Sequence, residues 1–336
     1  MGLRNLIKRL DIVLSILFIP FALLFYFART LCTSTSQQSL VVRPGGMGDL
    51  ILLTLALELY DPNFRENYFF IIETRSEPWA RFLNLKYSVY TDYRNFWKLP
   101  RFKKTYNTEQ RYGLAALYSA IFTDRVFSGK TLFQFESNRF GFWGKSVPYD
   151  ACTTPETSSF AKLIFDKNLG DFNTLRTAPS NSQFVFFLGG TFSLGRNLDA
   201  QEWADIIQAW NADKPLIAIS APEEKAKLKE IVSLCKRKIT IQEFPNFNEV
   251  AVFLRGCEKV LTVDSGALHL CSYFGVSTDS VFTNGRFLKW KPLAGRSRVL
   301  KTELPCQSCV LFGHEPPCKI NYQCNHLKGI QWKPVS

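Results

Sequence analysis

From residue 184 onward the chain alternates apolar, β-branched runs with helical stretches, and that alternation leaves few folds open. The runs at 184–188, 216–220, 239–244, 260–263 and 280–283 read as strands. Stretches at 200–210, 223–235, 247–256 and 266–274 carry helical periodicity between them. Strands separated by helices of this length predict a parallel sheet covered by helices on both faces. On such sheets ligands bind beyond the carboxyl ends of the strands. Gly189-Gly190, Ser220 and Asp264 fall at those ends.

The sharpest unit is 259–275, Lys-Val-Leu-Thr-Val-Asp-Ser-Gly-Ala-Leu-His-Leu-Cys-Ser-Tyr-Phe-Gly. A β-branched run ends at Asp264, a small-residue turn follows at Ser265, Gly266 and Ala267, and a helical pattern closes at Gly275. The free N–H groups at the start of such a helix favour an anion such as a diphosphate. Asp264 and His269 flank the turn. The plainer alternative is an ordinary βα turn with Asp264 or Ser265 as its helix cap.

A second unit lies near the start of the chain. The segment 39–42 reads as a short strand, Arg43-Pro44-Gly45-Gly46-Met47-Gly48-Asp49 as a glycine-rich turn, and 50–59 as a helix. Gly45, Gly46 and Gly48 leave room beside the backbone for a ligand. The spacing is neither a dinucleotide fingerprint nor a Walker A loop. Asp49 stands where an N-cap would, and a carboxylate on a strand-end loop is equally well placed to be a general base.

Gly48-Asp49 before an apolar helix, with Val263-Asp264-Ser265-Gly266-Ala267-Leu268-His269-Leu270, resembles glycosyltransferase family 9, the lipopolysaccharide heptosyltransferases. The usual family form of the second motif is D-T-G-x-x-H-L; Ser265 in place of Thr keeps the hydroxyl. The resemblance runs through Phe282-Thr283-Asn284-Gly285, where the family more often has F-G-x-T, and into Leu304-Pro305-Cys306-Gln307-Ser308-Cys309. It covers roughly 39–330, loosely between 60 and 180.

It implies an α/β fold of the GT-B type, two Rossmann-like lobes facing a cleft, preceded by a hydrophobic membrane-anchoring helix. The expected divisions are an anchor at 1–35, an acceptor lobe at 38–180, a donor-nucleotide lobe at 181–303 and a Cys-rich segment at 304–336. Residues 92–150 are rich in aromatic and basic residues and receive no assignment.

The resemblance also implies an inverting, metal-independent transfer of a heptose from ADP-heptose to a lipopolysaccharide-core or other lipid-linked saccharide. Asp49 would be the base. Thr191, Arg196, Glu223 (or its neighbour Glu224), Asp264, Ser265, Gly266, Ala267 and His269 would bind the donor. At Arg196-Asn197-Leu198 the family commonly has Lys followed by an aromatic. Two alternatives stay open: a GT-B transferase using a UDP- or GDP-hexose, and a non-catalytic donor-binding membrane adaptor. The required cofactor set is empty.

The net charge of +12 over 336 residues suits a nucleotide-diphosphate, an anionic lipid surface or nucleic acid without choosing between them. An aromatic-basic recognition motif is absent, which argues against nucleic acid as partner.

At the N-terminus, 12–28 is uncharged and almost wholly apolar, bracketed by Lys8, Arg9 and Asp11 before and Arg29 after. Its length is at the short limit for a span, and no small-x-small cleavage site follows. A span held by Arg4, Lys8 and Arg9 would send the lobes outside, away from nucleotide sugars. Pro20 at its centre predicts a kink. With 7–15 it resembles the re-entrant helix of monotopic phosphoglycosyl transferases, whose catalytic motifs are missing here. A re-entrant or interfacial anchor keeps the lobes on the cytoplasmic face of a bacterial inner membrane.

Cys32, Cys152, Cys235, Cys257 and Cys271 are scattered and read as buried or idle thiols. Cys306, Cys309, Cys318 and Cys324 form C-x2-C-x8-C-x5-C with His314 and His326 interleaved, a spacing that can hold a structural Zn²⁺. A packed thiol cluster is the alternative.

Overall fold

A computed structural model describes residues 3–92, 98–110, 113–138, 144–150, 152–169, 181–189, 198–210, 214–293, 296–306, 309, 318–327 and 329–335. The chain divides into two compact units. Unit 1 is Met1–Asp150 with Thr157–Leu169, and unit 2 is Ala151–Glu156 with Gly170–Ser336.

Unit 1 is built on six parallel strands: β1 (Ser39–Arg43), β2 (Tyr68–Ile72), β3 (Tyr87–Val89), β4 (Thr105–Asn107), β5 (Leu132–Phe135) and β6 (Lys145–Val147). Their order across the sheet is β3-β2-β1-β4-β5-β6. In unit 2 the parallel strands are β7 (Phe184–Leu188), β8 (Leu216–Ser220), β9 (Ile239–Ile241), β10 (Lys259–Val263), β11 (Ser277–Phe282) and β12 (Arg298–Lys301). A short antiparallel edge, β13 (Lys333–Pro334), completes the sheet. Its order is β9-β8-β7-β10-β11-β12-β13.

Both sheets therefore follow the doubly wound 3-2-1-4-5-6 order. The order reverses between β1 and β4 in one unit and between β7 and β10 in the other, and each reversal opens a crevice at the strand ends. The unassigned region 92–150 holds β4, β5, β6 and the helix 113–122.

The helices that bear on the sites are α1 (Leu3–Cys32), α2 (Met47–Tyr60), α3 (Gly113–Phe122), α4 (Glu156–Phe165), α5 (Ala200–Ala209), α6 (Lys225–Leu234), α7 (Phe247–Gly256), α8 (Gly266–Phe274) and α9 (Phe287–Trp290), beside the short helices Phe64–Asn67 and Glu77–Phe82. α2 is buried from Leu50 to Leu57, as an all-round apolar sequence requires. It begins at Met47, before the expected start, so Gly48 lies in its first turn and not in the loop. The unit 2 core gathers Phe186, Trp203, Trp210, Leu261 and Val281, and Leu327 and Trp332 fold back onto it. Of the scattered cysteines read as buried or idle, Cys257 and Cys271 are buried, Cys235 is half-buried, and Cys32 and Cys152 are exposed. Burial pushes the Cys257 thiol up to about 12, so it stays protonated near neutral pH.

One internal carboxylate organises the sheet of unit 2. Asp279 on β11 is fully buried and accepts from Trp210 Nε1 at 2.6 Å and from Arg298 Nε at 3.0 Å. Lys259 Nζ lies 3.1 Å from it. One carboxylate thus meets two cations and an indole, tying β10, β11 and β12 to the end of α5.

α1 is one continuous helix with Pro20 inside it. The Asp11 carboxylate accepts from the backbone N–H of Gly113 at 2.9 Å and of Leu114 at 3.2 Å, so a side chain of α1 caps the start of α3. Replacing Asp11 by alanine should cost about 1–2 kcal/mol, the usual loss for a helix cap in a partly buried setting. The unfolding midpoint of unit 1 reports it, and an unchanged midpoint would show the cap to be idle.

Candidate functional site

In unit 1 the reversal point holds three charges. β1 ends at Arg43, which is 4% exposed. Its Nη2 lies 2.8 Å from Asp49 Oδ1 and its Nη1 3.8 Å from Glu109 Oε2. The same Nη1 donates to the carbonyl of Thr108 at 2.8 Å, and the guanidinium sits 5.3 Å from the Phe160 ring centre. Glu109 Oε1 accepts from the Gln110 N–H at 2.9 Å. Arg43 thus bridges the end of β1 to the segment after β4.

Asp49 is at the third position of α2, and the N-cap is Gly46, a correction to the expected N-cap role. Its Oδ2 accepts from the Gly46 N–H at 3.2 Å, the backward half of a capping box. Capping and chemistry are therefore not alternatives here, because the contacts that cap the helix also orient the carboxylate. The Asp49 side chain is 23% exposed, against 5% for Arg43 and 9% for Glu109. Of the three charges, Asp49 is the one a ligand can reach. A Cβ at Gly45 would lie 2.9 Å from Asp49 Oδ2 and 3.0 Å from Arg43 Nε, so any larger residue would push on this ion pair. The space beside this glycine is filled by the ion pair.

In unit 2 the reversal point lies between Gly189, just after β7, and Asp264-Ser265, just after β10. Ser265 is the N-cap of α8 in extended conformation, yet its hydroxyl makes no capping bond. That Oγ is buried without a hydrogen-bond partner among the described residues. The first N–H groups of α8, from Gly266 and Ala267 onward, have no acceptor within the helix. A buried hydroxyl beside first-turn amides is a donor set for an anion.

Glu224 stands opposite. It is buried, whereas Glu223 is exposed. A Cβ on Gly189 would lie 3.8 Å from Glu224 Oε2 and 3.9 Å from Ser265 Oγ, so Gly189, Glu224 and Ser265 converge. Of the two adjacent glutamates, Glu224 is the one turned to this crevice. Lys227 reaches across to donate to the Leu198 carbonyl at 2.6 Å. Burial pulls its ammonium below the ordinary lysine range, partly countered by Glu224.

Asp264 is buried, and its backbone N–H donates to the Val281 carbonyl at 3.2 Å. Gly285 admits it, since a Cβ there would lie 2.2 Å from Asp264 Oδ2. His269, also buried, packs on Trp290 with ring centres 5.6 Å apart. Lys289 Nζ lies 4.4 Å from the Trp290 ring and 3.5 Å from Glu156 Oε2, both charges being buried. Arg43, Glu109, Lys289 and Glu156 had no assigned role in the sequence. Thr191 and Arg196 lie outside the described residues.

The cysteine cluster does not close on itself. Cys306, Cys309 and Cys318 are exposed and Cys324 is buried. Burial, then the neighbouring thiols of Cys309, Cys318 and Cys306, push the Cys324 thiol up to about 11. Cys306, Cys309 and Cys318 are thus each within electrostatic reach of Cys324. Among the described residues, however, no three ligand side chains converge on a point that could hold a metal ion. His314 lies outside those residues, and His326 Nδ1 is 3.1 Å from Glu202.

No curated protein matches the sequence. Among solved structures, the glycosyltransferase family 9 protein of Veillonella parvula matches at TM-score 0.59 and 14% identity, over 80% of this chain and 86% of that one. The ADP-heptose lipopolysaccharide heptosyltransferase II of E. coli matches at TM-score 0.57 and 12% identity, over 80% and 92%. E. coli heptosyltransferase WaaC, solved with ADP, matches at TM-score 0.55 and 14% identity, over 76% and 91%. These similarities establish the GT-B fold. Residues 154–316, which contain the Gly189, Glu224 and Asp264–His269 crevice, match the family model of glycosyltransferase family 9 (heptosyltransferase). That match agrees with the GT-B fold and with the D-S-G-x-x-H-L turn at 264–270.

Proposed function

We propose that the chain is an inverting glycosyltransferase that moves a sugar, with heptose from ADP-heptose as the leading donor, onto a lipid-linked saccharide at the cytoplasmic face of a bacterial inner membrane. The observation that carries this reading is the buried Ser265 hydroxyl, without a hydrogen-bond partner among the described residues, beside the first-turn amides of α8 at the reversal point of the unit 2 sheet. It is supported by structural relatives of the same fold solved with ADP and with ADP-2-deoxy-2-fluoro heptose.

In this reading unit 2 holds the donor. Ser265 and the N–H groups of Gly266 and Ala267 take the diphosphate, the helix dipole adding to the attraction. Arg196 neutralises the leaving phosphate, and Thr191 adds a hydroxyl. Glu224 accepts from the ribose hydroxyls. Asp264, fixed by Gly285, and His269, fixed by Trp290, orient the sugar. Asp49, aimed by Arg43 and the Gly46 N–H, takes the proton of the acceptor hydroxyl as it attacks the anomeric carbon from the face opposite the leaving diphosphate. The C–O bond to the diphosphate breaks as the new one forms, and the configuration inverts. No step is routed through the cysteine cluster.

The direct test is thermal shift of the purified chain against ADP, UDP, GDP and their sugars. ADP at about a hundred times its Kd should stabilise unit 2 by ~2.7 kcal/mol, and Ser265→Ala should shrink the shift. A shift with UDP or GDP compounds alone would keep the mechanism and replace the donor. No shift with any of them would overturn the reading in favour of a non-enzymatic role.

A further inference from the structure

The apolar N-terminal helix is long enough to cross a bilayer: the window Val13–Cys32 has a mean hydropathy of 1.9. Its surroundings within unit 1 argue otherwise. One stripe of α1 is turned inward: Asp11, Ser15, Ala22, Tyr26 and Arg29 are all buried, at a spacing of four, seven, four and three residues, the period of one helix face. Three of those five are polar.

At one end Asp11 caps α3. Further on, Tyr26 packs with Ala120, Val126 and Leu132. At the other end Arg29 donates to the Leu99 carbonyl and lies 4.5 Å from the Phe122 ring centre. Just beyond the helix, Arg101 donates to the Thr33 carbonyl at 3.3 Å and pairs with Asp124 at 2.6 Å. Asp11 and Arg29 are separated by about 27 Å of helix, so the docked length is nearly the whole apolar stretch. A helix held to a folded domain at both ends of that stretch cannot carry one end across a bilayer.

The opposite stripe is exposed. Val13, Ile16, Leu17, Phe21, Leu24, Phe27 and their neighbours are exposed, Leu24 to 69% and Leu31 to 87%. This is far more contiguous apolar surface than scattered single residues account for. The segments under α1 also carry exposed cations. Lys98 precedes the Leu99 that Arg29 binds, Lys104 follows Phe102, Arg125 precedes the Val126 that Tyr26 packs on, and Lys130 precedes Leu132. Arg4, Lys8 and Arg9 come just before the stripe in sequence. An apolar stripe rimmed by positive charge matches the interface of an anionic bilayer, where acyl chains take the apolar side chains and phosphates take the cations.

We infer that α1 lies in the plane of the membrane surface, docked on unit 1 through the Asp11–Arg29 stripe, with the Val13–Leu31 stripe sunk into an anionic leaflet. The inference deepens the membrane-associated reading above and rests on it. It replaces both the span and the re-entrant hairpin. Pro20 is compatible with it, since it is exposed on the lipid-facing side, where its missing N–H costs no contact with unit 1.

The test is flotation of the full chain with vesicles of phosphatidylcholine containing about a third phosphatidylglycerol, against phosphatidylcholine alone. The wild type should float with the anionic vesicles, more weakly at high salt. The double variant Phe21→Glu, Leu24→Glu touches only the exposed stripe and should lose flotation by at least about tenfold. Terminal tags on the chain in host membranes supply the second readout: both should be cleaved by protease added to the same side. Tags on opposite sides, flotation unchanged in the double variant, or a discrete wild-type dimer that ignores vesicles would each overturn the inference. The ADP-induced thermal shift of the double variant separates the two readings. Its loss in both proteins sinks the enzyme reading and leaves the membrane result standing.

Discussion

Replacing Asp49 by asparagine should lower turnover by about 10²–10⁴-fold while the ADP-induced thermal shift stays as in the wild type. The magnitude is that of removing a positioned general base. Asparagine is the informative substitution because its amide oxygen can still accept from the Gly46 N–H, preserving the cap on α2. What it loses is the negative charge facing Arg43 and the ability to take a proton. Arg43 would remain beside Glu109 and over Phe160, so no cation is left wholly unmatched. Retention of near-normal turnover would remove Asp49 from the chemistry and leave it a capping residue. Arg43→Lys is the companion variant. A lysine cannot hold Asp49 and the Thr108 carbonyl with one planar fork, so kcat should fall with the donor shift intact.

The largest stability loss should come from Asp279→Ala, at about 3–5 kcal/mol, because one partner of a buried charge cluster is removed and the others stay. Lys259 and Trp210 are left inside the sheet without their acceptor. Arg298 is partly exposed and can turn to water, which keeps the loss from growing further. Trp210→Phe should cost less, about 1.5–3 kcal/mol, since a single hydrogen bond to a charged group is lost and most of the aromatic volume stays. Denaturant unfolding followed in unit 2 measures both. An Asp279→Ala midpoint equal to the wild type would show that water replaces the carboxylate. Asp279 is distant in sequence from Gly189 and Ser265, but β11 ends beside Asp264. A loosened sheet should therefore weaken nucleotide binding as well as stability.

The unit 2 sheet was legible because its strands are long, apolar and evenly spaced: the runs at 184–188 and 216–220 match β7 and β8, and α7 and α8 start and stop where the pattern says. The tract 92–150 was opaque for a physical reason. Thr105–Asn107 and Lys145–Val147 are three-residue strands of mostly polar or aromatic side chains, and so short a run carries no usable period. The start of α2 was misplaced because Gly48 is a poor helix former and reads as loop. That shift moved Asp49 from cap to third position.

In α1 the polar stripe of Asp11, Ser15 and Arg29 was visible letter by letter. Asp11 and Arg29 were read only as the flanks of the apolar run 12–28 and Ser15 was lost within it, and a residue-by-residue look at the helical period would have joined them. Arg43 stood in plain view in the glycine-rich turn, but its role comes from β1 and β4 being neighbours in the sheet, a long-range fact. The Lys289–Glu156 pair left no local trace at all. Glu224 over Glu223 is a question of which way a short helical turn faces, and only the fold answers it.

The docking of α1 has a consequence for how the chain is made. Its first element is its most apolar, yet the amides that Asp11 caps belong to residues 113 and 114. At about 5–20 residues per second of synthesis, α1 leaves the ribosome several seconds before α3 exists to receive it. During that interval its inward stripe has no partner and its outward stripe faces water. The surface it meets first decides its fate, and an anionic leaflet near the ribosome would hold it flat until the rest of unit 1 closes over it. On the inference drawn above, the membrane would act as a template for folding before serving as the site of work. A chain made without its first 35 residues would have to close α3 with its leading amides bare.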